Sequence, residues 1–474
     1  MNPRTTHEMS FVARERGMPR RSVLVDPAFP SRLKELREQR GVSLRRLGQQ
    51  VHCSHGFLWD LEAGKKQPSV SVALLLDGAL GGNGELSAMV REMSADSSGH
   101  KDARDHDAPS GLGLEFAPDW RQGVALAVDL WQEDVQRRKM LRAVGFSATA
   151  FMAPAMRWLV SPMDERPSGD GDRLIGEPDV ETVKRITATY RTLDNQFGGG
   201  HVRESIVRFL QGEVAAMLQG RYDANTGRAL LSAAAEATQL AGWASYDIGM
   251  NGLAQRYMIQ ALRLAYGAGD RALGAEILAA MSHQAAYLKA SAHAVDLARA
   301  AGRVAAEAGI KAIEAESAVL KAQGHASGGD EAACAKALDR AKRAFDKADR
   351  TSAPQWIGYF DESYLAAKFG HCFAALGRGD LARRFAERSL DMDGRHYARG
   401  KQFNLALLAT AHAQAGDLDQ ASAVGMQAVD AAEGLDSMRA RDYLGELADR
   451  LAKHVGLPAV REFTERARPV LTAV

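Results

Sequence analysis

The chain has 474 residues, 46% hydrophobic and 25% charged, with 60 Lys and Arg against 59 Asp and Glu and a formal net charge of +1. These are ordinary values for a globular protein of two or three domains, and they exclude a chain that is a polycation as a whole. The charge is uneven, however: the first 77 residues carry a basic excess and the remainder a slight acidic one, which is the footprint of a local nucleic-acid contact.

Residues 1–28 open with "MNPRTTHEMSFVARERGMPRRS", Arg-rich, polar and without an apolar run. They are expected to form a disordered basic arm. Residues 29–93 read as five short helices. "SRLKELREQRG" places Leu33 and Leu36 on one side. "SLRRLGQQV" starts at Ser43, a good N-cap, with Leu44, Leu47 and Val51 on one face. "SHGFLWDLEAG" starts at Ser54 and stops at Gly64, and "SVSVALLLDGAL" and "GELSAMVREM" follow. Residues 94–111 are polar and rich in Asp, Ser and Gly, as in a flexible linker.

Residues 112–179 are expected to be a helical connector. Within it Gln136–Val160 resembles a twin-arginine export signal, with Arg137 and Arg138 before an apolar run. Its internal position, and the interruptions at Arg142 and Arg157, favour a buried helix or hairpin over a signal or a membrane span.

From residue 180 to 474 the chain reads as Ala-rich helices separated by Gly-Asp or Gly-containing turns. Leu253, Val295, Asp330, Asp380 and Asp417 each lie near a helix start at a roughly 40-residue spacing, except where "TSAPQWIGYF" lengthens one interval. Such spacing is the mark of an α-solenoid built from helix pairs. Cys53, Cys334 and Cys372 are far apart in sequence and form neither a disulfide framework nor a zinc motif, which fits a reducing compartment. Phosphate-loop, nucleophile-elbow and zinc-protease motifs are missing, so neither an enzyme nor a cofactor or metal site is expected.

"LKELREQRGVSLRRLGQQVHCSHGFLWDLEAGKKQPS" resembles the helix-turn-helix of the XRE family, the fold of phage repressors. The resemblance rests on Leu47 and Gly48, Ser54 as cap, and the Leu61-Glu62-x-Gly64-Lys65 close. "LAGWASYDIGMNGLAQRYMIQALRLAYGAGDRALGAEILAAMSHQAAYL" and "WIGYFDESYLAAKFGHCFAALG" resemble tetratricopeptide arrays. The whole is similar to actinobacterial proteins that join the two. The resemblance implies an all-α fold: a five-helix XRE-type head, then a tetratricopeptide-like α-solenoid. It also implies a cytoplasmic transcriptional regulator of development or secondary metabolism.

In such a head the N-terminal end of the third helix enters the major groove. Leu58 and Leu61 hold that helix on the core, which leaves His55, Gly56, Phe57 and Asp60 toward the bases. Ser54, Arg45, Arg46, Gln49, Lys65 and Lys66 are placed for the phosphates. His, Gly, Phe and Asp make a weak base code, so DNA shape is expected to contribute. Asp60 would repel phosphates unless paired with Arg46 or Lys65, and Trp59 is expected at the edge of the core, with groove contact as the alternative. A solenoid presents a concave groove. His283, Gln284, Tyr287, Tyr364, Lys368, His371 and Asn404 are the candidates for lining it, with a peptide, small molecule or protein as effector. Partners are expected to be double-stranded DNA and a second copy of the chain, with no membrane. The alternative is an interaction scaffold whose head no longer reads DNA specifically.

Overall fold

The structure is a computed structural model, and it describes residues 23–25, 28–51, 55–66, 68, 70–80, 85–92, 111–136, 144–162, 164–349 and 354–472. Among them the fold is all-α apart from two short antiparallel strand pairs. The chain divides into two compact units between residues 106 and 107. No helix among the described residues is long and apolar enough to cross a membrane.

The first unit contains α1 (Phe29–Gln39), α2 (Leu44–Gln50), α3 (His55–Glu62), α4 (Val70–Leu80) and α5 (Glu85–Ala88). Their apolar positions at helical spacing meet in one core around Leu33, Leu47, Leu58, Leu61 and Leu76. Ser43 caps α2, its Oγ accepting from the Arg46 amide at 3.3 Å. Asp77 Oδ1 accepts from the Leu86 amide at 2.9 Å and so joins α4 to the start of α5. Two expectations are corrected here. The arm is not disordered to residue 28, because β1 (Val23–Val25) pairs with β2 (Val90–Glu92), Val25 opposite Val90. The fifth helix therefore stops at Ala88 instead of running on to Met93. A Val-Leu-Val run favours an extended backbone, and the pairing satisfies polar groups that a short helix end would leave open.

The second unit begins with α6 (Trp120–Gln136), α7 (Met152–Val160), α8 (Glu177–Phe197) and α9 (Gly199–Phe209). The last continues through a π turn, Leu210–Val214, into α10 (Ala215–Leu218). Strands β3 (Gly169–Asp170) and β4 (Arg221–Tyr222) pair across this region. Six helix pairs follow: α11 (Ala224–Asp247) with α12 (Asn251–Ala268), α13 (Arg271–Tyr287) with α14 (Ser291–Ala308), and α15 (Lys311–Ser327) with α16 (Glu331–Asp346). Then come α17 (Glu362–Ala375) with α18 (Gly379–Ser389), α19 (Ala398–Ala415) with α20 (Leu418–Ala432), and α21 (Met438–Leu451) with α22 (Pro458–Thr472). The Gly-Asp turns are two caps in succession. Gly269, at φ +70°, ends α12, and Asp270 then caps α13 by accepting from the Leu273 amide at 2.9 Å.

The segment expected as a connector is part of this unit's core. Trp131 and Trp158 are buried, and Trp158 packs where any side chain on Gly274 of α13 would stand. The polar residues of α12 face this segment instead of water. Gln260 Nε2 donates to the carbonyls of Gly113 and Glu115 at 2.9 and 2.8 Å. Arg263 donates to the Ala117 carbonyl at 2.8 Å and pairs with Asp164 at 2.7 Å. Within the twin-arginine-like stretch, Arg137 and Arg138 lie outside the described residues, while Pro154, Ala155 and Trp158 are buried in the unit. Cys334 and Cys372, distant in sequence, meet between α16 and α17 as free, buried thiols that share a hydrogen bond.

The arc of helix pairs closes on itself. Arg399 of α19 makes a bidentate pair with Asp194 of α8, at 2.9 and 2.7 Å, and lies 3.1 Å from Asp247 of α11. Asp247 also accepts from the Ser437 hydroxyl at 3.0 Å and the Gly199 amide at 2.9 Å, with Arg439 at 3.7 Å. Backbone bonds seal the closure: the Asp436 amide donates to the Phe197 carbonyl at 2.9 Å, and the Gly200 amide to the Asp436 carbonyl at 3.0 Å. This explains the run Gly198-Gly199-Gly200. A Cβ at Gly200 would stand 2.0 Å from the Asp436 carboxylate, and one at Gly199 2.5 Å from the Ala244 carbonyl. Removing Arg399 would leave two buried carboxylates with much of their charge uncompensated. Arg399→Ala is expected to destabilise the second unit by about 3–5 kcal/mol, read by chemical denaturation. A loss below about 1 kcal/mol would match an exposed pair and contradict the closure.

Candidate nucleic-acid interface and cavity

The third helix of the first unit is held by an ion pair that was not foreseen. Arg37 of α1 grips Glu62 of α3 with two bonds, at 2.6 and 3.0 Å, and donates a third to the Val42 carbonyl at 3.2 Å. Glu62 is only 8% exposed in its side chain. The glutamate of the Leu-Glu-x-Gly close thus fixes the angle of α3 against α1, and its hydrogen bonds hold the Arg37 guanidinium above its usual range. The pair is legible in sequence only as an acid and a base 25 residues apart on different helices.

His55 and Gly56 are exposed at the start of α3, and a side chain at Gly56 would meet open space. Phe57 is partly buried against the core, so it is turned further inward than a base-contacting residue was expected to be. Trp59 is corrected outright: it is 47% exposed. At about 100° per residue it falls between His55 and Gly56 on the helical wheel, opposite Leu58 and Leu61. Helix geometry outweighed the tendency of large aromatics to be buried. Lys65 lies over its ring at 4.2 Å. Asp60 is paired, but with Lys66 at 2.7 Å instead of Arg46 or Lys65. Arg45, Arg46 and Lys65 are exposed, without an ion-pair partner among the described residues. Ser54 and the side chain of Gln49 lie outside the described residues.

In the second unit the first helices of five pairs, α11, α13, α17, α19 and α21, line with α8 and residues 354–361 a cavity of about 940 Å³. Five of the seven expected residues line it: His283, Tyr364, Lys368, His371 and Asn404. Gln284 and Tyr287 are not among its lining residues. Gln284 stands about 100° round α13 from His283 and donates to the Asn251 carbonyl at 2.9 Å. Tyr287 donates to Asp442 at 2.6 Å and packs edge-on against Tyr443. Asn404, although in the wall, is engaged in donating to the Ser389 carbonyl at 2.9 Å.

The wall has an acidic and a basic zone, backed by Glu316 and Gln323 of α15, which do not themselves line the cavity. Glu276 of α13 and Glu316 of α15 both accept from the Tyr359 hydroxyl, at 3.1 and 2.7 Å. Gln239 of α11 donates to Glu276 at 3.1 Å. Burial pushes both carboxyls up, and Glu276 further through the charge of Glu316. Tyr359 comes from the stretch that lengthened one repeat interval. In the basic zone Lys368 Nζ lies 3.1 Å from His283 Nε2 and 3.3 Å from Gln323 Oε1. Arg439 lies over the rings of Tyr246 and Phe403 at 4.5 and 4.7 Å. Burial, then the charge of Arg439, lowers Lys368 to about 7. Burial, then Lys368, lowers His371 to about 3, so that imidazole is neutral.

Glu276, Glu316, Tyr359, Arg399 and Arg439 were missed. The first two do carry a sequence signal: each is an acid inside an otherwise small and apolar stretch, "ALGAEILAAM" and "IEAESAVL". Ala-rich context marks helices that pack on both sides.

A family model described as a helix-turn-helix domain matches residues 29–88 of the chain. No curated protein matches the chain. Residues 29–88 therefore form a helix-turn-helix domain, and a helical, repeat-like region follows it.

The depressed pKa of Lys368 has a signed consequence. A lysine lowered from 10.5 to about 7 burdens the folded state below the lower value, and the burden is relieved as pH rises between the two. The groups around it are Tyr364, His371 and Cys372 on its own helix, His283, Glu316 and Gln323 on neighbouring helices, and Arg439. Lys368→Met should therefore stabilise the protein more at about pH 6 than at about pH 9, measured as the difference between variant and wild-type melting curves. A difference that stays constant or grows with pH would contradict the burial of this ammonium.

Proposed function

We propose that the protein is a DNA-binding transcriptional regulator of the XRE type, whose tetratricopeptide-like second unit senses an effector in the cavity and joins two copies of the chain. The reading places it in the cytoplasm, without enzymatic activity of its own. The observation that carries it is the exposed N-terminal face of α3 within a helix-turn-helix domain, flanked by Arg45, Arg46 and Lys65. His55 supports base contact, since an imidazole can bond guanine in the major groove. Trp59 joins it as a surface residue that sequence reasoning had assigned to the core edge. The acid that argued against phosphate contact, Asp60, has its charge offset by Lys66, which weighs against a head that no longer binds DNA.

One head of this size with few base contacts binds weakly, and a dimer brings a second head to millimolar local concentration. Footprints should then be imperfect inverted repeats about 10 base pairs apart, or a multiple of that. A single unpaired protected half-site would count against paired heads.

The docking surface is tested by salt dependence. Changing Arg45, Arg46 and Lys65 together to Ala should weaken binding to any DNA and reduce the salt slope by up to about 3, at roughly 0.9 per contact. Lys66→Ala should weaken binding further than one lost contact, because it uncovers Asp60. An unchanged slope in the triple variant would remove the proposed surface.

A further inference from the structure

Polar residues of three inner helices repeat at one interval, and two of them, Glu276 and His283, line the cavity. Gln239 and Tyr246 on α11, Glu276 and His283 on α13, and Glu316 and Gln323 on α15 are each seven apart. Seven residues are two helical turns, so the two members of each pair stand about 10 Å apart along the axis on the same face. Neighbouring inner helices thus carry two parallel rows. One holds Gln239, Glu276 and Glu316. The other holds Tyr246, His283 and Gln323, and Lys368 bridges the last two.

Each row has unmet polar atoms of the opposite kind. In the basic row Lys368 is 6% exposed and has no carboxylate within ion-pair distance among the described residues. If Lys368 donates to His283 Nε2, the proton of that neutral ring sits on Nδ1, and Nδ1 is buried without an acceptor. Arg439 Nε is likewise a buried donor without an acceptor. In the acidic row the unmet atom at the cavity is an acceptor: Oε2 of Glu276 is buried with no N–H or O–H donor beside it. Native interiors rarely leave such groups unmatched, and a concentration of them around a cavity is what a ligand would complete. Trp243, Tyr364 and Phe403 supply apolar wall between the rows.

We infer that the cavity takes a small bipolar molecule, with a carboxylate or phosphate at Lys368, His283 and Arg439 and an amine at Glu276, the two groups about 10 Å apart. An anion at the basic row restores the missing acceptors, and an ammonium at the acidic row supplies the donor that Glu276 Oε2 lacks. A ligand with only one of these groups satisfies one row and leaves the other as it is. This inference rests on the proposed sensing role of the second unit but is tested separately from it.

The test uses the full chain and the fluorescence of Trp243 and Trp356, both in the cavity wall. The probes are 8-aminooctanoate, whose termini reach about 10 Å apart when extended, octanoate and octylamine. The expected result is that 8-aminooctanoate binds about tenfold tighter than either single-headed probe. Lys368→Met should reduce it to the affinity of octylamine, and Glu276→Gln to that of octanoate. Equal affinities for the three probes, or no saturable binding in the millimolar range, overturn the inference on the wild type alone, whether or not the variants fold. DNA binding is then measured with and without saturating 8-aminooctanoate. Selective binding that leaves DNA affinity unchanged upholds the bipolar site and overturns the sensing role. Altered DNA affinity without selectivity among the probes does the reverse.

Discussion

The second unit depends on one buried network, in which Arg399 ties Asp194 of α8 to Asp247 of α11 from across the arc of helix pairs. A stack of helix pairs whose neighbours touch only in sequence order has an open inner face that water fills. Here the inner face becomes an enclosure, because residues 197–200 meet residue 436 through backbone hydrogen bonds and the charges pair behind them. The enclosure is also what makes the inner charges unusual. Lys368, Glu276 and Glu316 are displaced from their ordinary ranges first by burial, and burial follows from closure.

A similar economy governs the first unit. Arg37 and Glu62 lock α3 to α1, so the exposed end of α3 is presented by a rigid support, not by a loop. Lys66 and Asp60 cancel locally, which leaves Arg45, Arg46 and Lys65 to set the electrostatic character of that face. Both units thus use a bidentate arginine to hold one helix in place.

Local pattern was read well wherever short-range spacing decides. Ser43 as cap, Leu58 and Leu61 on the core side of α3, and the Gly-Asp turns at 269–270, 329–330 and 416–417 follow from helix geometry and capping chemistry. The residues around Leu253, Val295, Asp330, Asp380 and Asp417 do begin the second helix of a pair. Reading failed where a distant segment decides. Trp59 was judged by its size instead of its wheel position. Val23–Val25 and Val90–Glu92 were judged separately, although each is a strand only because of the other. Nothing local to residues 112–179 shows that α12 has its polar residues turned toward them, although the expectation of a buried helix fits Met152–Val160.

The sequence by itself determined the helical class, the order of the helices in pairs and the basic character of the head, because each depends on groups within one or two turns. Tertiary structure alone decided that Glu276, Glu316 and Tyr359 meet, that Lys368 lies against His283, and that Asp194 finds Arg399 some 200 residues on. Those contacts depend on the summed rotation from one helix pair to the next. That rotation is set by side-chain packing between pairs, and a small change in it would part residues that only closure brings together.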